Sequence, residues 1–230
     1  MNTRLKAPGG QPEIHDALLA GATGLIGRAV AAQWAATVPP PARLHLLVRR
    51  AEPAGARQMV QVVDFAQLPA LPPARTAFCC LGTTIKTAGS KAAFRAVDHT
   101  AVLAYARAAQ AAGVQCFAVV SALGADARSG TFYNRVKGEM EAELATLGFA
   151  QLVIARPSLL SGDRAALAQA PRLGERLALA LTAPLAPLIP KAWRPIEADT
   201  VARALLRATA DANTRGVRVL ESAALQDLGA

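Results

Sequence analysis

Ser121, Tyr133 and Lys137 have the side-chain types needed to handle a proton at a carbonyl. Tyr133 and Lys137 stand four apart, so a helix puts them on one face, a turn from each other. A hydride delivered to a carbonyl carbon leaves an alkoxide that needs a proton. A phenol with an ordinary pKa near 10 releases one poorly at neutral pH. A neighbouring ammonium favours the phenolate and eases the transfer. Lys137 suits that task and could also bond a nicotinamide ribose. Ser121, twelve residues before Tyr133, would hold the substrate oxygen beside the phenol. A bare Tyr-x-x-x-Lys is common by chance, and its ordinary use is an amphipathic tyrosine with a solvated lysine. Here the chain has only 2 tyrosines, and the serine closes an apolar strand-like run before one of them.

A second set lies near the N-terminus. Gly21-Ala22-Thr23-Gly24-Leu25-Ile26-Gly27 follows a short apolar run and opens a helix-like stretch. Free N–H groups and the dipole at a helix start favour a phosphate. A side chain at Gly24 would block its approach, Gly21 permits the tight turn, and Gly27 lets helix and strand pack closely. The glycine triplet alone would be weak; between a strand and a helix it predicts a dinucleotide site. An acidic residue about 20 positions on would suit NAD. This chain instead places Arg49 and Arg50 at the end of its second strand. Guanidinium groups bind a 2′-phosphate through charge-assisted forked bonds, so NADP(H) is expected and NAD(H) is the lesser choice. One of the two arginines is expected to touch the phosphate. Asp64, ending the third strand, is either an acceptor for the adenine amino group or a surface turn aspartate.

The elements that must position these residues alternate. Apolar strand-like runs occupy 16–20, 44–48, 59–63, 77–81, 116–120, 152–155 and 217–220. Helix-like patterns fill 24–37, 91–112, 131–147, 165–181 and 200–210, the last with Asp199 as a plausible N-cap. Buried strands alternating with helices argue a doubly wound, mostly parallel α/β sheet, Rossmann-like, with helices on both faces. Residues 1–15 read as a flexible tail. Residues 16–230 read as one domain, with 161–198 as a substrate-side lid in a small C-terminal lobe.

Composition narrows the classes. Hydrophobic residues at 53% and charged residues at 18% exclude bulk disorder. The net charge of +9 is spread without a block of like charges, which argues a solvated basic surface rather than a nucleic-acid face. Cys79, Cys80 and Cys116 lie in apolar runs and form no disulfide framework, so buried thiols in a reducing compartment are expected. The start of the chain has no apolar leader, and the 177–190 run is too short and proline-broken to span a bilayer. The expectation is therefore a soluble, cytoplasmic protein with no metal, no membrane contact and a small-molecule carbonyl or alcohol substrate. No motif identifies a protein partner.

These motifs resemble the short-chain dehydrogenase/reductase superfamily. Within its atypical branch, Cys79-Cys80-Leu81-Gly82-Thr83-Thr84, Val97-Asp98, the run from Tyr133 to Leu144, Arg156-Pro157 with Gly162-Asp163-Arg164, and the closing Leu-Gln-Asp-Leu-Gly resemble the Tat-interacting oxidoreductase-like proteins. The resemblance covers about residues 16–229. It implies a Rossmann-like domain binding NADP(H), with Gly21, Thr23, Gly24, Leu25, Ile26 and Gly27 along the pyrophosphate. It implies Arg49 and Arg50 at the 2′-phosphate and Leu81, Gly82 and Thr83 beside the adenine-side ribose. Ser121, Tyr133 and Lys137 would be catalytic, with Tyr133 and Lys137 also touching the cofactor. Arg156 and Pro157 would close over the nicotinamide. The asparagine that often completes the superfamily's catalytic set is not evident on the 91–112 helix; Asp98 and Thr83 stand nearest to it in sequence. Two functional readings follow: an NADP(H)-dependent oxidoreductase, and an NADP(H)-binding regulatory or redox-sensing protein without turnover.

Overall fold

The computed structural model describes residues 15–161, 190–211 and 214–230. The tail expected over 1–15 falls almost wholly outside the described residues. So do most of the expected lid and the helix expected over 165–181.

Seven strands make one sheet: β1 (Ala17–Ala20), β2 (Leu44–Val48), β3 (Gln58–Val62), β4 (Thr76–Cys79), β5 (Cys116–Val120), β6 (Gln151–Arg156) and β9 (Gly216–Glu221). Their order is β3-β2-β1-β4-β5-β6-β9, and every pairing is parallel. The chain winds one way from β1 to β3, then returns to β4 on the other side of β1. Such a switch opens a crevice beyond the carboxyl ends of the two central strands, where doubly wound proteins take their ligands.

Side chains that alternate along the strands feed two cores. Leu19, Leu44, Leu46, Phe78, Ala118 and Val153 face one layer, while Leu18, Leu47, Cys79, Phe117, Val119 and Leu152 face the other. The first layer holds α1 (Leu25–Thr37), which buries Ile26, Val30 and Trp34 at helical spacing. Proline at 39, 40 and 41 ends that helix. Beside it lies a helix over Ala198–Ala210. The opposite face carries α4 (Val102–Ala111) and α5 (Phe132–Thr146), preceded by the short helices α2 (Ile85–Ala88) and α3 (Lys91–Arg95).

Three local readings change. The stretch read as one helix over 91–112 is interrupted at Ala96–Ala101 by a π turn, which the apolar periodicity does not reveal. The Ala198–Ala210 helix, α6, starts with Glu197 at its N-cap, so Asp199 lies in its first turn. The Asp199 carboxylate instead accepts a bond from Gln33 Nε2 of α1 at 3.1 Å. A two-stranded parallel sheet of β7 (Leu160–Ser161) and β8 (Ile196–Glu197) and the short helix α7 (Ser222–Leu228) were not expected.

Candidate active site

Between β1 and α1 the chain must turn in very little space. Gly21 takes φ +82°, and a Cβ there would lie 2.4 Å from the Cys80 carbonyl oxygen. At Gly27 a Cβ would stand 2.1 Å from the Gly21 carbonyl oxygen. Both glycines are therefore demanded by the protein's own backbone. Gly24 differs: a Cβ would meet only the Gly21 oxygen, at an ordinary 3.5 Å. Gly24 is also the N-cap of α1, offers no side-chain cap, and is followed by no acidic residue in the first turn. The helix start thus leaves N–H groups and a positive dipole end facing the cleft, with nothing at Gly24 in the way. An anionic pyrophosphate fits this cradle.

The cleft above it encloses about 640 Å³. Its walls come from Gly24–Ile26, the loop after β4 from Cys80 to Ile85, the end of β5 with Ser121, then Tyr133 and Lys137 of α5, and Pro157–Leu160. The topology thus brings Leu25, Ile26, Leu81, Gly82, Thr83, Ser121, Tyr133, Lys137 and Pro157 to one cavity. Ser121 is 5% exposed, and its hydroxyl has no hydrogen-bond partner among the described residues. A buried hydroxyl left unpaired is costly, so it points to a ligand oxygen. Tyr133 packs its ring on Phe94, with centroids 5.2 Å apart.

Lys137 is 3% exposed, and its Nζ lies 2.8 Å from Asp98 Oδ1. It also donates to the Val120 carbonyl at 3.4 Å. Burial alone would drive the ammonium towards its neutral form. The charges of Asp98 and Tyr133, together with the hydrogen bond to Asp98, outweigh burial and hold its pKa above the ordinary lysine value. The second Asp98 oxygen, Oδ2, accepts from the backbone N–H of Thr83 at 2.8 Å. The π turn carries Asp98 inward, where it is fully buried.

Other expected residues fall elsewhere. Thr23 is exposed, and its carbonyl accepts from Arg28 Nε at 3.2 Å. Arg49 and Arg50 are exposed just past the end of β2, outside the cavity walls. Asp64 is an exposed turn residue whose Oδ1 accepts from the Ala66 N–H at 2.9 Å. Arg156 does not line the cavity. Its Nε bonds Glu141 at 3.1 and 3.2 Å, and its Nη1 bonds Glu221 at 2.9 Å, so the guanidinium ties β6 to α5 and to the end of β9. These two carboxylates draw it away from a cofactor position. Cys79 and Cys116 are buried and their thiols are pushed up to about 12 by burial; burial raises Cys80 as well.

Two residues passed without assignment in sequence matter here. Asp98 pairs with Lys137 across 39 positions of chain, a contact no local pattern announces. Gly138 lies in the middle of α5, where a Cβ would stand 2.1 Å from the Ala127 backbone nitrogen. It lets the loop after Ser121 press onto α5 beside Tyr133 and Lys137. A glycine inside a helix costs about 1 kcal/mol against alanine, and that cost was the available signal.

Among the described residues no group of three or more His, Cys, Asp or Glu could hold a metal ion. No described helix is long and apolar enough to cross a membrane.

No family model matches the chain. Protein HTATIP2 of Rattus norvegicus is 37% identical over 176 residues, covering 74% of this chain and 69% of that protein. The mitochondrial protein FMP52 of Eremothecium gossypii is 36% identical over 154 residues, covering 65% of this chain and 68% of that protein. Among solved structures, the Bordetella bronchiseptica enzyme WbmG in complex with NAD superposes with a TM-score of 0.63 at 15% identity, over 93% of this chain and 74% of that one. At that identity the likeness is one of fold. The expected cytoplasmic location does not stand: the fungal relatives are named as mitochondrial proteins. Unpaired buried thiols indicate only a reducing compartment, which is why they could not settle the question.

Proposed function

The chain belongs to the atypical short-chain dehydrogenase/reductases, with HTATIP2 and the FMP52 proteins, and from that premise we propose that it is an NADP(H)-dependent oxidoreductase acting at a carbonyl or alcohol centre. One observation carries the reading. A single cavity joins a glycine cradle open to an anion, an unpaired buried serine hydroxyl, and a tyrosine one helical turn from a charged lysine.

A bound nicotinamide would supply or accept the hydride. Tyr133 gives its phenolic proton to the nascent alkoxide in reduction and takes one from the alcohol in oxidation. The Ser121 hydroxyl bonds the same substrate oxygen and fixes it beside the phenol. Lys137 stabilises negative charge developing on Tyr133 and offers an N–H to the cofactor ribose. Gly24, Leu25 and Ile26 hold the pyrophosphate, while Leu81, Gly82 and Thr83 flank the adenine-side ribose. Pro157 borders the nicotinamide. Arg49 and Arg50, exposed and next to the expected adenosine end, select the 2′-phosphate. Leu123, Leu159 and Leu160 add an apolar stretch to the wall, which suits an uncharged carbonyl substrate.

Titration of the purified protein with NADPH and NADH by calorimetry tests the cofactor. Micromolar NADPH binding with much weaker NADH binding is expected, and no binding of either would overturn the reading. For the chemistry, Tyr133→Phe is expected to keep NADPH affinity and lose carbonyl reduction at least about 100-fold, the usual worth of a positioned proton donor. Unchanged turnover would remove Tyr133 from that role. NADPH binding without turnover on any carbonyl would favour a regulatory protein.

A further inference from the structure

Among the described residues, Asp98 is a fully buried charged group at the cleft that the proton-transfer scheme above leaves without a task. We propose that Asp98 is a positioning residue for Lys137, its carboxylate binding that ammonium and the backbone of Thr83 at once so that the lysine and the loop after β4 move as one unit. The proposal extends the functional reading above and rests on it for its cofactor consequence alone.

The geometry demands a carboxylate. Two donors face Asp98: Lys137 Nζ at 2.8 Å from Oδ1 and the Thr83 N–H at 2.8 Å from Oδ2. An asparagine presents one acceptor oxygen and an NH2 group, so it would turn a donor towards one of the two donors. Only the ionised carboxylate offers an oxygen to each, an ion pair to Lys137 and a hydrogen bond to Thr83. Exposure of the two side chains is 3% for Lys137 and 1% for Asp98, so the pair is held almost wholly out of bulk water. The π turn at Ala96–Ala101 is what brings this side chain under the loop.

The pair also fixes charge. The groups that act on Lys137 are Asp98 from the π turn, Tyr133 from one turn earlier on α5, and Cys79 from β4. Burial pushes the Cys79 thiol up to about 12, so it is neutral and cannot replace Asp98 as a counter-charge. With Asp98 removed, burial is the dominant influence left on Lys137, and it favours the neutral amine. Lys137 would then lose its proton at a lower pH than it does beside Asp98. Thr83 would lose the acceptor that fixes its loop against the cofactor.

Carbon-13 NMR of the lysine ε-carbons tests this directly, because the chain has few lysines and Lys86, Lys91 and Lys191 are exposed. The Lys137 resonance is assigned as the one missing from Lys137→Met. In the wild-type protein it is expected to titrate above the exposed lysines; titration together with them, or below them, would overturn the proposal without any variant. In Asp98→Asn it is expected to move down by at least about one pH unit. Above the lowered Lys137 value, NADPH affinity of that variant is expected to fall by up to about tenfold per pH unit while the wild type holds steady over the same range, since one unit in pKa is a factor of ten in protonation. An unmoved Lys137 titration in Asp98→Asn, or a loss of affinity equal at every pH, would reduce Asp98 to a structural residue and overturn the proposal. Should Asp98→Asn not fold, the wild-type titration decides. The lysine resonance is read without cofactor, so failure of the dinucleotide reading and failure of this one are separate results.

Discussion

The floor of the cleft at the start of α1 is built from backbone, while its wall at α5 is built from buried side chains, and the two respond to substitution in opposite ways. At the floor, specificity comes from atoms that are missing: no Cβ at Gly21 or Gly27, because carbonyl oxygens occupy that space. At the wall it comes from atoms that must be present and charged, Lys137 and Asp98, each of which makes the other tolerable in the interior. A site can therefore be spoiled by adding one methyl group at one end and by removing one charge at the other.

The sharpest contrast lies within the floor itself. Gly27→Ala forces a methyl group to 2.1 Å from a carbonyl oxygen that no rotamer change can move, and should cost about 5 kcal/mol or prevent folding. Gly24→Ala meets only an ordinary contact and should change stability by no more than about 1 kcal/mol, yet it should abolish NADPH binding. Urea unfolding and calorimetry of the two variants check both halves. Equal destabilisation would mean that Gly24 serves packing and not a ligand.

At the wall, Lys137→Met leaves a buried carboxylate without its counter-charge and should cost about 3–5 kcal/mol in urea unfolding, and pairing it with Asp98→Asn should recover part of that loss. The pH dependence follows from the raised pKa of Lys137. A group whose pKa is higher folded than unfolded contributes its full stabilisation below its unfolded value. That contribution is lost as pH rises through the folded value. The gap between wild type and Lys137→Met should thus stay constant from neutral pH up to the ordinary lysine range and close above it. A gap that widened with rising pH would contradict the ion pair.

The smallest structural effect is expected at Arg49 and Arg50, which touch neither region. Alanine at either should leave stability within about 0.5 kcal/mol, since both are exposed. One of the two should weaken NADPH binding about tenfold and leave NADH binding unchanged, as loss of one charged hydrogen-bond donor would. Unaltered NADPH affinity in both single variants and in the double variant would remove the 2′-phosphate assignment.

The same division explains what could be read from the sequence. The glycine turn was legible because its requirements are local: a strand, a turn and a helix start within seven residues. Strand runs were legible for a similar reason, since a doubly covered parallel sheet needs continuous apolar stretches, and β2 and β5 lie where those stretches predicted. The Asp98–Lys137 pair was not legible, because it joins two helical segments through tertiary packing and depends on a π turn that shifts the phase of the side chains. Arg156 misled for the opposite reason. Its place at the end of β6 is right for a cofactor contact, but Glu141 and Glu221 lie within reach and claim it. Asp199 looked like a cap because it precedes an apolar period, and the helix simply starts earlier.

The order of strands also bears on how the chain is made. β6 is hydrogen-bonded to β5 on one side and to β9 on the other, and its residues from Gln151 to Ala155 are buried. Everything between Arg156 and Gly216 must leave the ribosome before the strand that covers this edge exists. Throughout that interval the nascent protein carries an uncovered apolar edge, the kind of surface that recruits chaperones or a neighbouring nascent chain. Synthesis that stalls there leaves Ser121, Tyr133 and Lys137 already translated on a scaffold that cannot yet close, so the burden on quality control falls on the stretch between Arg156 and Gly216 rather than on the residues that do the chemistry.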